Sequence, residues 1–202
     1  MTAVELRAVG DRGVMLDLPD GTAAQVARLI AANLPGLVDV VPGHRTVLVT
    51  WEVEPASEEL VALAQRAIAA DESSTDLRVH EIPVRYDGRD LDTVSELTGL
   101  SVDELVARHS GAEYTAAFLG FAPGFAYLVG GDERLHVPRR AEPRQRVPSG
   151  AVAIAGPYSG IYPREGPGGW QLLGTTEVVL FDPAGRPPAL LAAGDRVRFA
   201  AT

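Results

Sequence analysis

Glycine and proline are distributed so unevenly that they divide the chain before any other feature is considered. Of the 21 glycines and 15 prolines in 202 residues, 18 fall within residues 111–170 and only three within residues 56–110. Glycine permits positive φ and close backbone approach, and proline fixes φ and removes a donor. Long helices are therefore confined to the first part, which reads as α/β, and the second part reads as loop-rich β structure. The length suits one large domain or two small ones, and a 46% hydrophobic content is enough for a core.

In the first part, residues 4–9 and 14–18 read as a hairpin around Gly10 to Gly13. Thr22 with Gln25 has capping-box spacing, and Val26, Leu29, Ile30 and Leu34 follow at helical period. Residues 37–41 and 46–51 resemble strands. Ser57 opens a second helix with Leu60, Val61, Ala64, Ala67 and Ile68 on one face, and residues 76–84 return as a strand. Two helices on one face of an antiparallel sheet give a ferredoxin-like α+β expectation for residues 1–80. Thr93 with Glu96 and Ser101 with Glu104 mark two short helices within residues 90–110. Beyond Gly111, apolar runs at 114–119, 151–155, 170–173, 178–181 and 197–199 are separated by turns. That spacing fits a small β-barrel or sandwich over residues 81–202.

Absent residue types remove whole classes of chemistry. There is no cysteine, which excludes disulfides, thiolate metal sites and cysteine nucleophiles. All 18 basic residues are arginine, so a Schiff base, a Walker-type phosphate loop and a biotin carrier are excluded as well. A net charge of −9 argues against nucleic acid as a partner. No stretch approaches the roughly 20 apolar residues of a membrane span, and the N-terminal segment lacks a signal-peptide run. A cytoplasmic protein with no membrane partner is the expectation. The four histidines are scattered without metal-ligand spacing, so no metal site is expected. Nucleophile-elbow and dinucleotide motifs are missing too.

Three segments remain as candidates for chemistry. Residues 120–127, 138–144 and 160–170 alternate glycine and proline with Phe121, Pro123, Gly124, Tyr127, Tyr162 and Trp170. Such loops are stiff and hold side chains in place; they serve equally as turns of a β fold with the aromatics as core. Residues 132–146 carry five arginines against three acids in an acidic protein. Guanidinium forks there suit a carboxylate or phosphate. His109 lies on the apolar face of its helix, where it is either a satisfied helix-end residue or a proton-transfer group facing the loops. Tyr158 and Ser159 offer hydroxyls to a pocket.

The segments GFAPGFAYL (120–128), VPRRAEPRQRVPSGAVAIAG (137–156), GIYP (160–163) and GPGGWQLLG (166–174) resemble the family of the 5-oxoprolinase B subunit. That family is also labelled allophanate hydrolase subunit 1 or carboxyltransferase subdomain C, and includes an inhibitor of a sporulation histidine kinase. IPVRYDG, GLSVDELVARHS, LFDP and GDRVRF follow in the family's order, so the likeness is strong over roughly residues 80–200 and weaker before them. The resemblance implies an N-terminal α/β domain followed by a cyclophilin-like β-barrel. It also implies a C-type partner chain of the carboxyltransferase family sharing the active site, an A-type third protein, and ATP-dependent cleavage of 5-oxoproline to glutamate.

Carried over by position, the resemblance makes His109, Arg139 and Arg144 the catalytic candidates. Phe121, Pro123, Gly124, Tyr127, Tyr158, Tyr162 and Trp170 become the substrate-binding candidates. One departure bears on substrate: Tyr158 stands where the family commonly has glutamine. Two alternatives accompany the oxoprolinase expectation. One is a role in allophanate cleavage, where the absence of lysine rules out a Ser–Ser–Lys amidase. The other is a non-catalytic inhibitor of a sensor kinase.

Overall fold

A computed structural model describes residues 4–70 and 78–202. The chain divides into two compact units, Met1–Asp76 and Leu77–Thr202. The division falls a few residues before the boundary placed after residue 80 on sequence grounds, because Val79 already begins a strand of the second unit.

The first unit runs β1 (Glu5–Ala8), β2 (Gly13–Asp17), α1 (Ala23–Asn33), β3 (Leu37–Pro42), β4 (Thr46–Trp51) and α2 (Ser57–Ala69). The strands form one antiparallel sheet in the order β1-β2-β4-β3. Alternation along β2 and β4 points Val14, Leu16, Val47, Val49 and Trp51 to one side. There they meet Val26 and Ile30 of α1 and Leu60, Leu63 and Ala64 of α2.

The ferredoxin-like expectation holds in one respect and is corrected in another. α1 joins β2 to β3 around the intervening β4, which is the split β-α-β of that fold. The edge place beside β2, however, is filled by β1. The strand expected at 76–84 is β5 (Val79–Val84), and it joins a different sheet; residues 76 and 77 lie outside the described residues.

The second unit contains α3 (Leu91–Thr98), α4 (Val102–Gly111), β6 (Glu113–Leu119), β7 (Ala126–Val129), β8 (Arg144–Val147), β9 (Ala151–Ala155), β10 (Tyr158–Ile161), β11 (Gly166–Gly168), β12 (Gln171–Thr175) and β13 (Arg196–Ala201). Seven strands form a sheet in the order β12-β9-β10-β7-β6-β13-β5, antiparallel except for the parallel pair β13–β5. Its two edges meet. Arg85, just past β5, exchanges N–H···O bonds of 2.9 and 2.8 Å with Thr175 of β12, leaving a nearly closed, barrel-like sheet. A side chain at Gly174 would put its Cβ 2.3 Å from the Arg85 carbonyl oxygen, so this seam requires glycine. β8 and β11 form a separate two-stranded ribbon.

Helix starts show which capping signals the backbone uses. Ser101 and Glu104 form the reciprocal box at α4: Glu104 N donates to Ser101 Oγ (3.3 Å) and Ser101 N to Glu104 Oε2 (2.9 Å). The other two boxes are not formed. Thr22 Oγ1 donates back to the Pro19 carbonyl, and Gln25 Nε2 donates to the Ala67 carbonyl, tying α1 to α2. α3 starts at Leu91 with Asp90 as its N-cap residue, which places Thr93 inside the helix. Residues 178–181 are not a strand. Only Phe181 bridges, to Ala189, where the chain loops back around Pro183, Pro187 and Pro188. Among the described residues, no helix is long and apolar enough to cross a membrane.

Candidate functional site

Strand β9 separates two environments in the second unit. Val152 and Ile154 face one way, into the cores that include Leu105, Leu128, Val197 and Phe199. Ala151, Ala153 and Ala155 face the other way, and their small side chains form a floor on which aromatic rings lie. Phe125, Tyr127, Tyr158, Tyr162 and Trp170 gather there. Tyr127 meets Tyr158 at 5.4 Å and Trp170 at 5.7 Å between ring centroids, while Tyr158 and Trp170 lie nearly parallel at 6.4 Å. Phe125 packs edge-on against Trp170 at 5.5 Å and Tyr162 at 5.6 Å. Glycine makes the approach possible: a Cβ on Gly160 would lie 2.9 Å from Phe125 Cζ and 3.1 Å from Trp170 Cζ3.

The Gly120–Gly124 turn supplies the outer rim. Phe121 is the only non-glycine residue with positive φ among those described (65°), and its ring is 60% exposed. It stands edge-on to Phe125 and Tyr162. Left-handed backbone at a bulky residue is held against a steric cost by its surroundings. The turn closes through Ala122 N to Gly120 O and Phe125 N to Ala122 O; exposed Pro123 shapes it, and Gly124 packs against Leu180 and Phe181. Every aromatic candidate read from the sequence is thus gathered into one cluster, along with Phe118, which stacks on Tyr127 at 4.3 Å. Of these candidates, Tyr162 (2% exposed) and Trp170 (4%) are core rings that back the cluster, and only Phe121, Tyr127 and Tyr158 keep accessible surface.

Beside this face the arginines converge on a carboxylate that the sequence reading did not single out. Asp90 is 2% exposed. Its Oδ1 accepts from Arg144 Nη2 at 2.6 Å and Arg140 Nη1 at 3.2 Å, and its Oδ2 accepts from Leu172 N at 2.7 Å. Arg140 N donates to the Gly169 carbonyl, next to Trp170. Arg139 is exposed and has no ion pair among the described residues. The Tyr162 phenol senses both Arg139 and Arg144: burial raises its pKa, and the Trp170 backbone and the two guanidinium charges oppose the rise. Arg144 therefore reaches the site already paired, whereas Arg139 reaches it free.

His109 requires a correction. Its ring is fully buried (0% exposed), with Nδ1 2.7 Å from Tyr86 Oη and Nε2 2.9 Å from Ser159 Oγ. It stacks on Phe199 at 4.5 Å. Ser159 Oγ directs its own proton toward the Ala153 carbonyl, so His109 donates from Nε2 and accepts at Nδ1 from the Tyr86 hydroxyl. Burial drives its pKa from 6.5 down to about 3, and the same effect pushes the Tyr86 phenol up. A neutral ring with both nitrogens occupied and no exposed surface does not touch substrate. Instead it links strand β10, next to Tyr158, to the segment that leads from Tyr86 to Asp90.

Asp90, Gln171 and Tyr86 are the residues the sequence reading missed, while Arg140 lay within the arginine cluster read as an anion site without being singled out from it. The available signal was Asp90 immediately ahead of the apolar spacing of α3, an N-cap position whose carboxylate turns out to serve the arginines.

Comparisons with known proteins bear on the family and the fold. A family model, the carboxyltransferase domain, subdomain C and D, matches residues 4–191. The chain is 43% identical to the B subunit of 5-oxoprolinase from Escherichia coli O157:H7, over 95% of this chain and 93% of the relative. It is 33% identical to the Bacillus subtilis protein of the same name, over 96% and 91%. Among solved structures, TTHA0988 superposes with a TM-score of 0.79 at 40% identity over 95% of this chain, which spans only 40% of that longer one. Over residues 4–191, then, the chain belongs to the carboxyltransferase subdomain C and D family, and the relatives it matches over nearly their whole length are named as the B subunit of 5-oxoprolinase.

Proposed function

We propose that this protein is the B-type subunit of an ATP-dependent, cytoplasmic hydrolase that opens 5-oxoproline to glutamate. On this reading its second unit is a cyclophilin-like barrel that shares the active site with a C-type partner chain, and an A-type protein completes the complex. The observation that carries the reading is the half-buried pair Tyr127 and Tyr158, backed by the buried rings of Tyr162 and Trp170 and set beside Arg139 and Arg144. A small, flat, anionic lactam needs such a wall and such cations.

A lactam is a stabilised amide, and ATP supplies the phosphoryl group that turns its carbonyl oxygen into a leaving group. For phosphoryl oxygens the free, exposed guanidinium of Arg139 is the fitting donor in this chain. With no lysine and no glycine-rich nucleotide loop here, the rest of the nucleotide site falls to the partners. Arg144, Phe121, Pro123 and Gly124 frame the substrate side. His109 acts from the core as a positioning residue. One half of a shared site is incomplete, so the chain alone is inactive. TTHA0988, in which the matching module is continuous with further chain, supports a site built from more than this module.

The test is ATP hydrolysis by the chain mixed with its C-type and A-type partners, with and without 5-oxoproline. ADP formation matched by glutamate release is the expected result. Assembly without that coupling overturns the reading.

A further inference from the structure

Three buried polar atoms around Asp90 have no hydrogen-bond partner among the described residues: Arg140 Nε, Arg144 Nη1 and Gln171 Oε1. They belong to one connected cluster. Arg140 and Arg144 share Asp90 Oδ1, and Gln171 precedes Leu172, whose N–H donates to Asp90 Oδ2. Gln171 Nε2 donates to the carbonyl of Pro138, at the head of the arginine segment. That contact fixes the amide's orientation, because the reversed amide would set two oxygens 3.2 Å apart.

Charge and satisfaction both point to a missing partner. Two guanidiniums meet one carboxylate whose oxygens are already engaged, leaving a surplus positive charge on side chains only 33% and 17% exposed. A buried donor or acceptor without a partner is costly, and a surplus cation on partly screened side chains attracts an anion. The atoms left over are two N–H donors on cations and one amide acceptor, on a glutamine that is itself only 4% exposed. Water satisfies donors and acceptors but brings no charge.

We infer that Asp90, Arg140, Arg144 and Gln171 form a seat for a small carboxylate carrying an N–H next to the carboxyl-bearing carbon, the arginines taking the carboxylate and Gln171 Oε1 accepting the N–H. This inference rests on the function proposed above and specifies how the substrate is held: 5-oxoproline has its ring N–H on that carbon. Asp90 is a positioning residue, holding the two guanidiniums side by side. Inorganic phosphate reaches Gln171 only by spending a protonated oxygen there, whereas a carboxylate with a neighbouring N–H meets the arginines and Gln171 together, which is why a carboxylate is assigned.

Isothermal titration of the full chain, alone and complexed with its C-type partner, tests the assignment with three probes: 5-oxoproline, 2-pyrrolidinone (the same lactam without the carboxylate) and inorganic phosphate. The expected result is that 5-oxoproline binds, and that Arg140→Gln and Arg144→Gln each weaken it at least tenfold. 2-Pyrrolidinone binds more weakly and is indifferent to both arginine changes, and Gln171→Met weakens both lactams. Arg140→Gln leaves the shorter Arg144–Asp90 pair in place, so it reports on the seat even where Arg144→Gln unfolds the chain. Equal binding of the two lactams, 5-oxoproline binding unchanged by Arg140→Gln, or no binding in either form overturns the seat. Phosphate binding that depends on the arginines and displaces 5-oxoproline, with no effect of Gln171→Met, makes it a phosphoryl site and overturns the carboxylate. Coupled turnover with an unchanged KM in Arg140→Gln defeats the seat and spares the proposed function. Arginine-dependent 5-oxoproline binding without coupled turnover does the reverse.

Discussion

At the scale of single residues, His109 shows how burial decides between two readings that a sequence leaves open. Its helical position is compatible with either proton transfer or packing; complete burial between Tyr86, Ser159 and Phe199 settles on packing. A consequence for stability follows. Unfolded, the imidazole takes up a proton near pH 6.5, whereas folded it resists protonation down to about 3. As pH falls below 6.5 the unfolded state gains protons first, so this residue erodes stability toward acid and has no pH-dependent effect above neutrality. The slope approaches about 1.4 kcal/mol per pH unit. His109→Gln lacks that term. In urea unfolding it is less stable than the parent at pH 7.5, and the gap narrows by about 2 kcal/mol at pH 5. A gap that stays constant with pH would show the ring is not held neutral. Gly160 gives a second test at this scale. Gly160→Ala forces its methyl against Phe125 and Trp170 at 2.9 and 3.1 Å, so a loss of about 1–3 kcal/mol and an altered tryptophan near-ultraviolet signal are expected.

At the scale of elements, what was legible depended on whether local sequence or distant packing sets the backbone. The helices α1 and α2 and the alternating strands β2 and β4 carry their own periodicity and were readable. So was α4, whose Ser101–Glu104 box is closed entirely within one turn. Ser101→Ala removes the hydroxyl that accepts from Glu104 N and donates to Glu104 Oε2, leaving the backbone Ser101 N–Glu104 Oε2 bond. It costs about 1 kcal/mol of stability in thermal or urea unfolding, with the fold retained; an unchanged stability would mean the hydroxyl cap is idle. Strands β7, β8, β10 and β11 were hidden because each is only three or four residues long, too short to show a period, and glycine or proline stands within or close beside them. Tyr158–Ile161 contains Gly160, and Gly166–Gly168 is two-thirds glycine. Gly160 and Gly168 are there because rings crowd them: a Cβ on Gly168 would lie 2.3 Å from Tyr162 Oη. Period-based reading expects side chains where the aromatic face needs their absence. The aromatic and arginine motifs of the candidate site were visible as clusters, but Asp90 was not. A lone carboxylate ahead of a helix looks like a cap, and only the return of β12 beside it shows what it binds.

At the scale of the whole molecule, the two units each have their own core and their own hydrogen-bonded sheet. Val14 to Ala67 pack in one cluster, and the cores built on Ile82 to Phe199 belong to the other unit. No strand is shared: β1 to β4 pair only among themselves, and β5 pairs with β13. Every residue of the aromatic face and of the Asp90 cluster lies between Asp90 and Leu172, inside the second unit. The sheet of that unit closes on itself through Arg85 and Thr175, so its edges do not depend on a strand from elsewhere. A fragment of residues 78–202 should accordingly unfold in one cooperative transition and keep the 5-oxoproline affinity of the full chain within about threefold, a difference of roughly 0.6 kcal/mol. Titration calorimetry and urea denaturation on the fragment check both parts. If the fragment folds but binds much more weakly, residues 4–70 contribute to the ligand site. If it fails to fold while the full chain is stable, the first unit completes the core of the second, and independent cores are the wrong description of this chain.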